Sequence, residues 1–136
     1  MALLLDTCAA IWFAEDQPIL GAVSRLMDQA ASVGESVYVS PVTAWEIGNL
    51  ASRGRLNLLV SPQQWFEQLL QRSGARVARI SPSILIASSY LPGRPPKDPA
   101  DRIFAATARE YNWQLVTRDR LLLEYAAEGH IQALAC

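Results

Sequence analysis

The feature that most constrains this chain lies at its start, where Ala2, Leu3, Leu4 and Leu5 run apolar without a break into Asp6 and Thr7. A strand with one face in water alternates apolar and polar residues. An unbroken apolar run needs cover on both faces, as in a sheet flanked by helices. Asp6 then stands at the strand's carboxyl end, the edge of an open α/β sheet on which ligands bind. An acid there has two readings, the N-cap of the next helix or a functional group, and the rest of the chain has to decide between them.

The segments that follow alternate in the same sense. Cys8 to Phe13 is apolar and ends at Glu15 and Asp16, which predicts a short helix springing from the strand. From Pro18, the residues Ile19, Val23, Leu26, Met27 and Ala30 keep the three-and-four spacing of a helix with one buried stripe, and Gly34 suits its stop. Ser36 to Ser40 is β-branched and aromatic at its centre and predicts the second strand. Ser40-Pro41, Ser61-Pro62, Ser81-Pro82 and Asp98-Pro99 each place a capping side chain before a proline, whose fixed φ and missing N–H fit the first helical position. Ser61 with Gln64 makes a capping box.

The helix from Pro41 carries Trp45, Glu46, Ile47 and Leu50 and runs into the polar turn 52–55. A third strand is expected over Val77 to Ile80, a helix over Ser83 to Leu91, and a loop over Pro92 to Lys97. An alanine-rich helix follows Asp98. Gln114 to Thr117 is a strand, the next helix runs to about Glu128, and Ile131 to Leu134 forms a short edge strand. Strands alternating with helices imply parallel pairing through right-handed crossovers, hence an α/β fold, a three-layer α/β/α sandwich around a central parallel sheet. At 136 residues one domain, spanning 1–136, accounts for the chain.

Composition removes several function classes. With 51% hydrophobic and 18% charged residues the chain is globular rather than disordered. Its formal charge of −1 provides no global positive field, so any nucleic-acid contact rests on a local basic patch. Cys8 and Cys136 form neither a disulfide framework nor a metal spacing, which fits a reducing cytoplasm. No segment approaches the ~20 apolar residues of a membrane span, so a cytoplasmic protein is expected.

Asp6 and Asp119 close strands, Asp98 and Asp101 lie at the start of a helix, and Glu46 sits about a turn and a half into the helix after strand two. In a parallel sheet all five positions belong to one edge. Each has an ordinary explanation alone: Asp6 and Asp98 as caps, Asp101 as a first-turn acid, Asp119 as a turn residue, Glu46 on an exposed helix face. Together they carry a cost, because two carboxylates about 5 Å apart repel by roughly 3 kcal/mol at an effective dielectric of ~20. Such a cluster takes up protons or holds a cation. With no histidine or cysteine at ligand spacing, the all-oxygen set suits Mg²⁺ or Mn²⁺. His130, the only histidine, is expected at the surface, and Trp12, Trp45, Trp65 and Phe66 mostly in the core.

These residues carry a resemblance. Leu-Leu-Leu-Asp-Thr ending in Asp6 and Thr7, Trp45-Glu46-Ile47, Asp98-Pro99-Ala100-Asp101-Arg102-Ile103 with Ala105-Ala106-Thr107-Ala108, and Leu115-Val116-Thr117-Arg118-Asp119 occur in the order found in PIN-domain ribonucleases, and the chain is similar in particular to the VapC-type toxins of bacterial toxin–antitoxin pairs. The resemblance implies an acidic quartet of Asp6, Glu46, Asp101 and Asp119 holding Mg²⁺ or Mn²⁺, with Asp98 as a supporting or alternative ligand and Thr117 and Thr7 as supporting hydroxyls. It implies hydrolysis of RNA, an antitoxin protein as partner, and a homodimer. Arg94, Lys97, Arg102 and Arg118 are the basic residues placed to meet RNA, and Arg53 and Arg55 could meet RNA or an antitoxin carboxylate.

The alternative is a Mg²⁺-binding receiver-like or protein-interaction module without nuclease activity. A receiver wants a phosphoacceptor ending a middle strand and a later lysine, but the candidate strand ends at Ser81 and no lysine follows Lys97. A phosphatase of the haloacid dehalogenase kind wants an acid two residues after Asp6, where Cys8 stands.

Overall fold

The structure is a computed structural model that describes residues 1–15 and 21–136. The expected helix start at Pro18 and Ile19, and Asp16 before it, lie outside the described residues. Strands β1 (Leu3–Leu5), β2 (Val37–Val39), β3 (Arg76–Val77), β4 (Gln114–Thr117) and β5 (Gln132–Ala135) alternate with helices α1 (Thr7–Ala14), α2 (Gly21–Ser32), α3 (Pro41–Ser52), α4 (Pro62–Ser73), α5 (Pro82–Ser88), α6 (Pro99–Tyr111) and α7 (Arg120–Ala127). The sheet runs β3-β2-β1-β4-β5 and every neighbouring pair is parallel. β1 sits at the centre, with β2 on one side and β4 on the other. The strand order therefore reverses between β1 and β4, and crossovers leaving these two strands open a crevice at their carboxyl ends.

The apolar opening run works as its pattern predicts. Leu3 and Leu5 face a core with Val39, Val116, Ala9, Val23, Met27, Ile47, Trp65 and Leu69. Leu4 faces the opposite core with Leu115, Phe104, Ala105, Ala108, Leu122 and Tyr125. All three leucines are at most 2% exposed, and each such burial is worth roughly 1.5–3 kcal/mol. Small residues on α6 let that helix lie close to the sheet. Beside it Trp113 stacks between Tyr38 at 4.0 Å and Tyr111 at 4.3 Å, closing the outer end of this layer.

All four residue-before-proline signals are helix starts. Ser40 accepts from the Val42 N–H, Ser61 from Gln64, Ser81 from Ile84 and Asp98 from Asp101, and Ser61 with Gln64 forms the full capping box.

Three boundaries differ from the expectation. β3 covers Arg76–Val77 instead of Val77 to Ile80, because the chain leaves the sheet once the Ala78 N–H has bonded the Val39 carbonyl at 2.7 Å. The short edge ladder leaves Val77 46% exposed and sends Ile80 to pack on the second core without strand pairing. α5 ends at Ser88 rather than Leu91, since Arg102 Nε donates to the Ser88 carbonyl at 2.8 Å and satisfies a helix end that would otherwise propagate. β5 is displaced by one residue, to Gln132–Ala135. Trp45 also departs from the expectation: it is 61% exposed, because Val42, Thr43 and Ile47 define the buried face of α3 and Trp45 falls opposite.

Phe104→Ala is expected to cost about 3–5 kcal/mol in chemical denaturation, since Phe104 is 1% exposed in the second core. Leu59→Ala, at a fully exposed side chain, should stay within about 0.5 kcal/mol of the parent protein.

Candidate active site

The five acids come to the site on elements that meet at the sheet's carboxyl edge. Asp6 follows β1 and caps α1, its Oδ1 accepting from the Ala9 N–H at 2.8 Å. Asp119 follows β4 and caps α7, with Oδ1 accepting from the Leu122 N–H at 3.0 Å. Asp98 caps α6 through Oδ1 at 3.1 Å from the Asp101 N–H, and Asp101 lies in that helix's first turn. The capping and functional readings thus coincide. Each cap engages Oδ1 of its acid and leaves Oδ2 for another partner.

Hydroxyls tie the acids together. Thr117 Oγ1 donates to Asp6 Oδ2 at 2.5 Å and accepts from the Asp119 N–H at 3.0 Å, so one buried side chain ties the Asp6 carboxylate to the backbone of Asp119 at the end of the neighbouring strand. Thr7 Oγ1 donates to Glu46 Oε1 at 2.5 Å. Because that uses the only Thr7 hydroxyl proton, Thr43 donates to Thr7 across 3.1 Å. Thr43 is absent from the residues expected at the site, although it stands one turn before Glu46 on the same helix. That i, i+3 spacing beside a site acid was the signal available in the sequence.

Asp6 is 4% exposed, and burial pushes its carboxyl up to about 6 against the pull of Thr117 and Ala9, with the charges of Asp119 and Glu46 adding to the rise. Burial and then the charges of Asp98, Asp119, Asp6 and Glu46 raise Asp101 to about 7. Burial also raises Glu46, opposed by the Thr7 hydrogen bond and assisted by Asp98. Cys8 has its thiol pushed up to about 11 by burial and then by the charges of Asp6, Glu46, Asp101 and Asp119. Four acids acting on one thiol mark a common field.

Among the described residues, none of the five acids has an ion pair. Nor do any three of them already enclose a point suited to a metal ion. They stand as neighbours in a shared field, short of a closed coordination shell. The donor set fits a hard divalent cation: it is all oxygen, half-buried, and uncompensated by protein cations.

The basic residues divide. Arg94 and Lys97 are exposed and, with Asp98 and Asp101, line a groove of about 470 Å³ that continues from the acids. Arg118 lies over the Trp12 ring, 4.9 Å from its centroid. Arg102 turns into the loop: besides Ser88 it donates to the Pro96 carbonyl at 3.2 Å and to Ser89 at 3.4 Å, which fixes the loop between α5 and α6 and leaves little of the guanidinium for phosphate. That loop is held from below as well, by Tyr125 Oη on the Pro92 carbonyl at 2.5 Å and by His130 against Gly93. His130, expected at the surface, is therefore partly covered.

An open parallel sheet whose switch point gathers carboxylates places the protein in the class of α/β proteins with an acidic crevice at the central strands. The chain belongs to the PIN domain family, whose match covers residues 3–128, and within it to the VapC group. Ribonuclease VapC22 of Mycobacterium tuberculosis is 36% identical over 120 residues, 88% of this chain and 88% of that protein. The same fold occurs in the crystal structure of VapBC2 from Rickettsia felis bound to a DNA fragment from its promoter, with a TM-score of 0.74 at 14% identity over 100% of this chain and 99% of that one. It occurs also in a protein of Pyrobaculum aerophilum, with a TM-score of 0.65 at 20% identity over 99% and 89%.

The raised carboxyls set a pH dependence. Asp101 ionises near 3.8 in the unfolded chain and near 7 in the folded one, so over that interval the folded state holds a proton the unfolded state has lost. Stability therefore falls as pH climbs from about 4 to about 7, and the full penalty is present above it. Asp101→Asn should raise Tm at about pH 8 and leave it unchanged at about pH 3, read by thermal melts in metal-free buffer.

Proposed function

We propose that the protein is a metal-dependent endoribonuclease acting as the toxin of a toxin–antitoxin pair. The observation that carries this is the set of carboxylates at the switch point, where Asp6 and Asp101 are raised by burial and by neighbouring acids and where, among the described residues, none of the five acids has an ion pair. The name of the VapC22 relative supports RNA as the substrate. Asp6, Asp101 and Asp119, with Glu46 and Asp98 at hand, would hold one or more Mg²⁺ or Mn²⁺ ions. When bound, the ion lowers the pKa of a water and offsets charge on the attacked phosphate.

The chain's own residues supply the rest. Glu46 has one oxygen fixed by Thr7, which leaves Oε2 to take the proton of the attacking water, and burial raises its basicity above that of an ordinary carboxylate. That water adds to phosphorus, the bond to the 3′ oxygen breaks, and the leaving oxygen takes up a proton from solvent. Thr117 holds Asp6 and the backbone of Asp119 in register across β1 and β4. Arg94 and Lys97 contact phosphates along the groove.

Asp6→Asn or Asp101→Asn is expected to abolish Mg²⁺-dependent cleavage of a mixed RNA pool with the circular dichroism spectrum retained, and Glu46→Gln to lower kcat about 10²- to 10⁴-fold. Undiminished cleavage by rigorously purified mutants would refute the assignment, and metal binding without any cleavage by the parent protein would favour the signalling or interaction module.

A small antitoxin protein and a second copy of this chain are the proposed partners. VapBC2, with the same fold, is named as a complex, and Leu85, Ile86 and Tyr90 on and after α5 expose apolar surface suited to a second copy. The neighbouring gene should encode a small protein that suppresses both toxicity and cleavage, and sedimentation of the purified pair should give two copies of this chain per particle. A gene that is harmless when overexpressed alone argues against the toxin role, and a particle with one copy against the dimer. Among the described residues no helix is long and apolar enough to cross a membrane, in keeping with a cytoplasmic place of action.

A further inference from the structure

We propose that Trp12 and Arg118 form a stacking platform at the rim of the acidic pocket that takes one nucleobase of the substrate strand. The proposal rests on the ribonuclease reading and deepens it.

Arg118 lies between Thr117, whose hydroxyl holds Asp6, and Asp119, which caps α7. An exposed ion pair between the Arg118 guanidinium and a carboxylate would be worth only about 0–1 kcal/mol. Among the described residues Arg118 makes no such pair. It lies instead on the Trp12 ring at 4.9 Å, and its side chain is exposed. An indole face attracts a cation by roughly 0.5–1 kcal/mol at an exposed site, so contact with the ring competes on even terms with an exposed ion pair.

That arrangement presents a surface of particular chemistry. The guanidinium lies over the indole ring and the Arg118 side chain is otherwise exposed. A planar cation backed by an aromatic ring stacks well on a nucleobase, which offers a π-face whatever its identity. Trp12 also belongs to a helix whose sequence from Cys8 to Ala14 has no charged residue, although Cys8 is exposed and Trp12 only partly covered. The platform stands by Asp6 and Asp119, whereas Arg94 and Lys97 line the groove beside Asp98 and Asp101. Basic groups are thus present at both ends of the acid set, phosphate-binding at one and base-stacking at the other. A single strand laid between them places an intervening phosphate over the carboxylates.

The test is steady-state cleavage with Mg²⁺ of a short single-stranded RNA of fixed sequence, together with a series in which one base at a time is replaced by an abasic sugar. Trp12→Ala and Arg118→Ala should each lower kcat/KM about 5- to 150-fold, the range for loss of one base–aromatic stack, and Trp12→Phe should recover most of it. At one position of the series the abasic substrate should be cleaved as poorly by the parent protein as the intact one is by Arg118→Ala, with no further loss on combining the two. A purely structural role for Trp12 would give a penalty that does not depend on which base is present, and that result overturns the proposal. So does intact cleavage with loss of antitoxin binding, which assigns the surface to a protein partner. Failure of the parent protein to cleave any RNA removes the ribonuclease reading itself and is distinguished from both.

Discussion

Negative charge that the protein's own cations do not neutralise is the constraint around which this structure is arranged. Asp6, Asp98 and Asp119 each cap a helix, so three helix N-termini point into the region that the carboxylates occupy. A helix end offsets a nearby carboxylate by about 0.3–1 kcal/mol, whereas a pair of carboxylates at about 5 Å repels by roughly 3 kcal/mol. The backbone therefore relieves only part of the repulsion. Burial first, and the remaining repulsion after it, push the carboxyls of Asp6 and Asp101 up to about 6 and about 7. A site that must either keep protons or gain a cation is suited to binding a hard metal ion together with an anionic substrate.

The same geometry shows why so much was legible in the sequence. Leu3 to Asp6 combines two local facts, an unbroken apolar run and a terminal acid, and both concern the central strand of the sheet. The proline-preceded caps are equally local, because Ser40, Ser61, Ser81 and Asp98 each bond an N–H two or three residues away. What the sequence left hidden depends on distant partners. β3 is short because its ladder has one neighbour, and α5 stops because Arg102, 14 residues beyond Ser88, takes up its last carbonyl. The hydrogen bond between Thr117 and Asp6 spans 111 residues, and spacing alone could not fix which oxygen it meets. Glu46 is a different case. Its place on the buried side of α3, one turn after Thr43 and Val42, follows from helical periodicity, and the same periodicity puts Trp45 outside.

The arginines around the pocket complete the electrostatic argument. Two of them have other partners. Arg102 is drawn into three backbone carbonyls of the loop it supports, and Arg118 is stacked on Trp12. Arg94 and Lys97 line the groove they share with Asp98 and Asp101. An arginine seated directly on Asp6 or Asp101 would pull those carboxyls down and compete with a divalent ion for the same oxygens. The carboxylates are left available, and positive charge remains near enough to receive phosphates. In the function proposed above, attraction for the polyanion and affinity for the metal would thereby fall to separate side chains, a division that a net charge of −1 does not reveal.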